Sequence, residues 1–226
     1  MNSAIQISRS QLPVEERGHI TVEVVTQENP LAVLTLGHGA GSNLDQAFLK
    51  QLSTELASRR IATIRFNFLY SEQKKKMPDR FPAASAAIRA VFQLAKSSFA
   101  DVPLFAGGKS FGGRMSSMTL SEGNPGVEGI IFYGFPLHPA GSPSVERADH
   151  LAKVGIPMLF IQGTTDALAT PDLLRPIVTS LPGATLHEIE GADHSFKGGG
   201  SAGGVKALAG VTAAWVETLL ERRHTS

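Results

Sequence analysis

Short, almost continuously apolar runs alternate with segments of helical period along most of this chain, and no other feature restricts its fold so strongly. Residues 31–36 (LAVLTL) are nearly all apolar, as a strand covered on both faces would be. Residues 43–60 carry Leu44, Ala47, Phe48, Leu52 and Leu56 at helical spacing, and a short strand is predicted at 61–66. The order then repeats: helix 83–99, strand 102–106, helix 111–121, strand 127–133, strand 157–162, helix 171–180, strand 185–189 and a last helix near 205–222. Strands separated by helices imply a mostly parallel central sheet with helices on both faces. Residues 20–26 (ITVEVVT) alternate apolar with polar instead, which predicts an antiparallel edge strand ahead of the parallel part.

At 226 residues and 42% hydrophobic, the chain can bury a continuous core and is expected to form one domain over 1–226. Its 21 basic and 20 acidic residues are spread evenly, which gives no reason to expect nucleic acid or an anionic membrane as a partner. The one local excess, Lys74-Lys75-Lys76, reads as a solvated loop. Cysteine is absent, so disulfides, thiolate metal sites and a cysteine nucleophile are excluded. The first 13 residues lack the apolar core of a signal peptide, and no apolar run approaches 18 residues, so a soluble cytoplasmic location is expected. No metal or cofactor is expected, the expected partner is a small acyl substrate, and the sequence does not set the oligomeric state.

Chemistry concentrates in four places, each just past a predicted strand. Gly108-Lys109-Ser110-Phe111-Gly112 has the form Gly-x-Ser-x-Gly between strand 102–106 and helix 111–121, the setting in which that motif forms a nucleophile elbow. A serine hydroxyl is a weak nucleophile near neutral pH and needs a base, which in turn needs an acid to fix its tautomer. Asp166, in Gln162-Gly163-Thr164-Thr165-Asp166, and His194, in Asp193-His194-Ser195-Phe196, follow in the order Ser, Asp, His. Asp193 is adjacent to His194 in sequence, where side chains usually diverge, and Asp172 fits the first turn of a helix, so Asp166 is the expected acid. His19, His187, His150 and His224 are expected to be structural or exposed. The oxyanion donors are expected to be the backbone NH of Phe111 and, from the loop Gly37-His38-Gly39-Ala40-Gly41-Ser42-Asn43, that of Ala40, with Gly41 as the alternative. His38 is expected to shape that turn, and His38, Gly39, Gly41, Lys109 and His138 to border the substrate. Arg114, one helical turn past Ser110, is read as an ion-pair partner; binding of a substrate carboxylate is the other reading for Lys109 or Arg114.

With these residues assembled, the chain resembles the α/β-hydrolases of the dienelactone-hydrolase-like kind. More narrowly, it is similar to the subfamily of small bacterial hydrolases and testis-expressed or chromatin-complex α/β-hydrolase-like domains. Gly37–Gly41, Arg65-Phe66-Asn67-Phe68, residues 107–114, Gly134-Phe135-Pro136-Leu137-His138-Pro139, residues 162–166 and residues 193–196 carry the likeness. The resemblance implies an α/β-hydrolase fold of at most eight strands, a Ser-Asp-His triad and hydrolysis of esters or related acyl compounds. Dienelactone hydrolases proper use cysteine where this chain has Ser110, and some members of the narrower subfamily are interaction subunits rather than enzymes. Thioester, lactone and peptide hydrolysis remain open alongside ester hydrolysis, as does a non-catalytic binding module. About 23 residues join strands 127–133 and 157–162, with a short helix expected at 151–154, which leaves no space for a separate lid domain and predicts a preference for short acyl chains.

Overall fold

A computed structural model describes residues 4–224; the first three residues, the last two and the side chain of His224 lie outside the described part. Eight strands form one sheet in the order β1-β2-β4-β3-β5-β6-β7-β8. They are β1 (Gln6–Pro13), β2 (His19–Thr26), β3 (Ala32–Gly37), β4 (Ile61–Phe66), β5 (Leu104–Lys109), β6 (Val127–Tyr133), β7 (Met158–Gly163) and β8 (Ala184–Ile189). From β4 to β8 every neighbouring pair is parallel, while β1 and β2 are antiparallel to their neighbours. The helices are α1 (Ala47–Ala57), α2 (Leu69–Glu72), α3 (Phe81–Ser98), α4 (Phe111–Ser121), α5 (Pro171–Ser180) and α6 (Val205–His224). None of the described helices is long and apolar enough to cross a membrane.

Alternation along the strands sorts the core into two layers. Leu34 and Leu36 of β3, Ile131 of β6 and Leu159 of β7 pack under α1 and α6 with Leu52, Leu56, Leu208 and Val216. Val33, Ile64, Ile130, Phe132 and Phe160 face the other way, against Ile88, Val91 and Phe92 of α3, Met115 of α4 and Leu174 of α5. Both faces of β3, β4, β5 and β7 are thus covered, which is why these strands are wholly buried and mostly apolar.

Two expectations need correction. Residues 20–26 do not form the edge: β1 pairs with β2 along its full length and takes that position. Helix 43–60 is shorter at both ends. The NH of Asp45 bonds the Asn43 side chain at 2.9 Å, an Asx turn that delays the helix to Ala47, and Arg60 turns left-handed at φ 61°. The loop 70–81 begins with the short α2, closed by the Tyr70 NH donating to Asp79 Oδ2 at 3.1 Å. Lys74, Lys75 and Lys76 are exposed as expected. Between β6 and β7 the chain makes only two 3-10 turns, Glu146–Ala148 and Leu151–Lys153, and no separate lid domain is present.

Candidate active site

The carboxyl ends of β3, β5, β7 and β8 carry the four sequence segments to one rim, where open α/β sheets bind ligands. Ser110 sits between β5 and α4 with φ 51°, a left-handed backbone that a non-glycine residue adopts only when its surroundings enforce it. The enforcement is visible. Its NH donates to Tyr133 O at 3.2 Å, and its carbonyl accepts the first helical bond from the Arg114 NH at 3.1 Å. The turn is also packed against β3 so closely that a Cβ on Gly112 would overlap the Gly37 carbonyl, so only glycine permits this approach.

Ser110 Oγ lies 2.9 Å from His194 Nε2, and His194 Nδ1 lies 2.6 Å from Asp166 Oδ2. A carboxylate can only accept, so Nδ1 carries the proton and Nε2 is left to receive the serine hydroxyl. Asp166 is 2% exposed, and its carboxylate is held from three sides. Gln162 Nε2 donates to Oδ2 at 2.6 Å, the Leu168 NH donates to Oδ1 at 2.8 Å, and His194 supplies the third bond. The loops bearing Asp166 and His194 are joined to each other, through the Thr165 NH to Ala192 O (2.9 Å) and the Gly191 NH to Thr164 Oγ1 (2.8 Å). Gly163 lets them meet: any Cβ there would overlap the Ala192 carbonyl. Asp193 turns away from the ring, its Oδ1 accepting the Ser195 and Lys197 NH groups.

The loop after β3 runs beside the serine, since a Cβ on Gly39 would lie 3.9 Å from Ser110 Cβ. His38 is fully buried, with Nδ1 donating to Gly39 O at 2.8 Å and Nε2 accepting the Phe68 NH at 3.2 Å. Burial lowers its pKa to about 4 and keeps it neutral. The ring therefore props the turn and offers no nitrogen to a substrate. Gly41 donates its NH to Tyr70 Oη at 3.0 Å, whereas the NH groups of Ala40 and Phe111 have no acceptor among the described residues. Beside that loop Phe111 meets Phe68 and Tyr70 edge-on at 5.1 and 6.3 Å, and Phe68 and Tyr70 stack at 6.4 Å.

The remaining candidates lie elsewhere than the substrate side. Lys109 points inward: it is 6% exposed and its Nζ donates to the backbone carbonyl of His194 at 2.5 Å, with the Phe196 ring 5.3 Å away. Burial lowers its pKa to about 8, against the opposing pull of Asp166 and Asp193. His138 is 1% exposed, with Nδ1 donating to Pro139 O at 2.9 Å and Nε2 facing the Thr170 NH at 3.5 Å, so it braces two loops. The ion pair expected of Arg114 is not formed among the described residues. His187 lies in β8, His19 opens β2, and His150 bonds Ser117 Oγ at 2.7 Å.

Supporting residues to which sequence reasoning gave no role are Gln162, Arg65 and Asn67, which it had named only as carrying the family likeness, and Tyr70. Buried Arg65 donates to the Leu44 carbonyl, and Asn67 Oδ1 accepts the Leu44 NH at 2.7 Å, so β4 fastens the chain just beyond the Gly37–Asn43 loop. A polar residue inside an otherwise apolar strand, as Arg65 is, was the available signal.

A family model described as an alpha/beta hydrolase domain matches residues 30–215. Among solved structures, dienelactone hydrolase from Anabaena variabilis superposes with a TM-score of 0.77 at 17% identity, covering 95% of this chain and 98% of its own. Est1E from Butyrivibrio proteoclasticus gives 0.73 at 13% identity, covering 94% and 99% respectively. An α/β serine hydrolase without lid from Xanthomonas campestris gives 0.69 at 18% identity, covering 96% and 94%. Identities this low make the likeness to these three one of fold.

Proposed function

Because the chain belongs to the α/β-hydrolase family, and is dienelactone-hydrolase-like within it, we propose that it is a serine hydrolase acting on carboxylic esters through Ser110, His194 and Asp166. One observation carries this reading: the unbroken hydrogen-bonded chain from Ser110 Oγ through His194 to Asp166, at 2.9 and 2.6 Å. In the first step Ser110 Oγ attacks the ester carbonyl carbon while His194 Nε2 takes the hydroxyl proton. Asp166 holds Nδ1–H and stabilises the imidazolium that forms. The negative charge on the carbonyl oxygen falls to the NH groups of Phe111 and Ala40, which are free of other acceptors, whereas that of Gly41 is engaged by Tyr70. Collapse expels the alcohol, which receives the proton from His194. Water then attacks the acyl-enzyme with His194 again as base, releasing the acid and restoring Ser110.

With only two 3-10 turns between β6 and β7 there is no separate lid, and Phe111, backed by buried Phe68 and Tyr70, keeps some exposure next to the serine. Short acyl chains fit such an open site. The lidless serine hydrolase among the fold neighbours is an analogy for the absent lid only.

The test is a series of 4-nitrophenyl esters from acetate to laurate, run on the wild type and on Ser110→Ala, together with organophosphonate labelling. Acetate and butyrate should be the best substrates, and Ser110→Ala should lose about a thousandfold or more in kcat and all labelling. Unchanged hydrolysis in Ser110→Ala would refute the assignment, and laurate as best substrate would refute the chain-length preference.

A further inference from the structure

Gly134-Phe135-Pro136-Leu137-His138-Pro139 carries part of the family likeness, yet no step of the reaction uses it. It does not border a substrate, because residues 134–138 are all buried. They pack instead behind His194 and Asp166. Gly134, at φ 74°, passes so close that a Cβ there would lie 2.8 Å from Lys109 Nζ and 3.3 Å from His194 Nδ1. Its NH donates to Ile161 O at 2.9 Å, which fixes the segment to the end of β7.

From this segment two routes lead to the two oxygens of Asp166. The Phe135 NH donates to Gln162 Oε1 at 2.8 Å, and Gln162 Nε2 donates to Asp166 Oδ2 at 2.6 Å. The His138 NH donates to Leu168 O at 2.9 Å, and the Leu168 NH donates to Asp166 Oδ1 at 2.8 Å. Backbone segment, Gln162, Asp166 and Leu168 thus close a ring, in which Gln162 is the one side chain standing between backbone and acid.

Gln162 is 3% exposed, and its amide has a single orientation. A backbone NH can only donate, so the atom facing Phe135 is the amide oxygen and the NH2 group is turned to Asp166. The oxygen it reaches, Oδ2, is the one that accepts His194 Nδ1–H at 2.6 Å. With a donor on each oxygen, the plane of the carboxylate is set independently of His194. A carboxylate free to swing would draw the imidazole with it and change its approach to Ser110 Oγ.

We propose that Gln162 is a positioning residue of the reaction, which acts through Asp166 by holding Oδ2 toward His194, with buried residues 134–138 as its anchor. The inference rests on the reading of Ser110, His194 and Asp166 as the reacting groups.

The experiment uses the full chain and 4-nitrophenyl acetate, and compares Gln162→Met, similar in size but unable to donate, with Gln162→Glu. In the latter, two carboxyls 2.6 Å apart cannot both ionise, so at pH 6 the pair keeps one proton. Asp166 retains its bonds from Leu168 and His194, so that proton settles on the new carboxyl and is donated to Oδ2, as the amide donates in the wild type. The neighbouring charges are engaged elsewhere: Lys109 Nζ bonds His194 O, and Glu188, opposite Gln162 in the β7–β8 register, pairs with Arg175 at 3.0 Å. In Gln162→Met, kcat and kcat/KM should fall together by about tenfold or more. Gln162→Glu should recover to within about threefold of the wild type at pH 6. A loss under about threefold in Gln162→Met, or a Gln162→Glu variant no better than Gln162→Met at pH 6, overturns the proposal. If Gln162→Met does not fold, Gln162→Glu decides alone: its rate relative to wild type should drop between pH 6 and pH 9 as the shared proton leaves, and a constant ratio overturns the proposal. A further arm needs no turnover. The Nδ1–H proton of His194, identified as the downfield NMR resonance missing from His194→Gln, should move in Gln162→Met and hold its place in Gln162→Glu at pH 6. If Ser110→Ala hydrolyses the ester as the wild type does, the esterase reading fails and this resonance decides the part of Gln162; an identical shift in wild type and Gln162→Met overturns it.

Discussion

Ser110 holds a backbone conformation that costs a non-glycine residue about 1–3 kcal/mol, and the residues around it are those that recover the cost as geometry. Lys109 is the least obvious of them. Its side chain delivers a buried ammonium to the carbonyl of His194, 85 residues on in the chain. The proposed nucleophile and base are thereby tied together by two consecutive residues, one through the imidazole and one through the backbone. Lys109→Met should fold but leave the His194 loop free to shift, and a misplacement of order 1 Å lowers kcat by about a hundredfold. The charge is present below pH 8 and lost as the ammonium titrates above about 8, so the gap between wild type and variant should narrow from pH 7 to pH 9.5. A pH-independent gap in kcat for 4-nitrophenyl acetate would show that the contact acts through packing alone. Residue order along the chain was enough to nominate Ser110, Asp166 and His194, which the fold brings within hydrogen-bond reach of one another, because each follows its own strand. It could not tell that Lys109, His38 and His138 turn inward, since the direction a side chain takes from a loop depends on partners distant in sequence.

At the scale of elements, β1 shows what periodicity misses. Nearly all of Gln6–Pro13 is exposed, so it has no apolar face to leave a pattern, and its place in the sheet comes from backbone bonds to β2. The buried strands and the long helices, by contrast, each carry a face of the core and were legible to within a few residues. What holds the β1-β2-β4 margin beyond backbone pairing is a charge relay. Exposed Arg9 pairs with Glu23 at 2.7 Å and with Asp45 at 2.5 Å, and Glu23 pairs inward with buried Arg65. Burial lowers the pKa of Arg65 to about 10 without discharging it, so the guanidinium needs Glu23. Removing Glu23 strands a buried cation, whereas removing Arg9 loses a solvent-screened pair. Glu23→Ala should therefore cost about 3–5 kcal/mol in urea denaturation, and Arg9→Ala about 1 kcal/mol or less. Equal losses would mean that Arg65 finds another partner when Glu23 is gone. Because Arg65 also fixes the Leu44 carbonyl, Glu23→Ala should disturb the Gly37–Asn43 loop as well as stability.

Over the whole molecule, the same burial that builds a rigid rim sets the response to acid. Two histidines, His38 beneath the Gly37–Asn43 loop and His150 behind α4, have pKa values lowered from 6.5 to about 4, in both cases chiefly by desolvation. Both are neutral in the fold, and the unfolded chain takes up their protons first as the pH drops. The sign follows: between pH 6.5 and 4 the unfolded state binds more protons, so the stability present above pH 6.5 is lost progressively across that window. For fully buried His38 the loss approaches about 3 kcal/mol by pH 4. His150 acts in the same direction with less weight, being partly exposed. Asp79 works against them, because burial raises its pKa and its protonation in the fold relieves a cost. The two histidines should prevail, so the urea midpoint should fall between pH 7 and pH 4.5. His150→Gln can keep the bond to Ser117 Oγ but cannot titrate, and its midpoint should fall less than that of the wild type over the same interval. Identical falls would assign the acid sensitivity to other groups. Since His38 props the loop expected to bind the oxyanion, esterase activity should decline in the same pH range as stability, and 4-nitrophenyl acetate turnover after return to pH 7 should separate reversible protonation from unfolding.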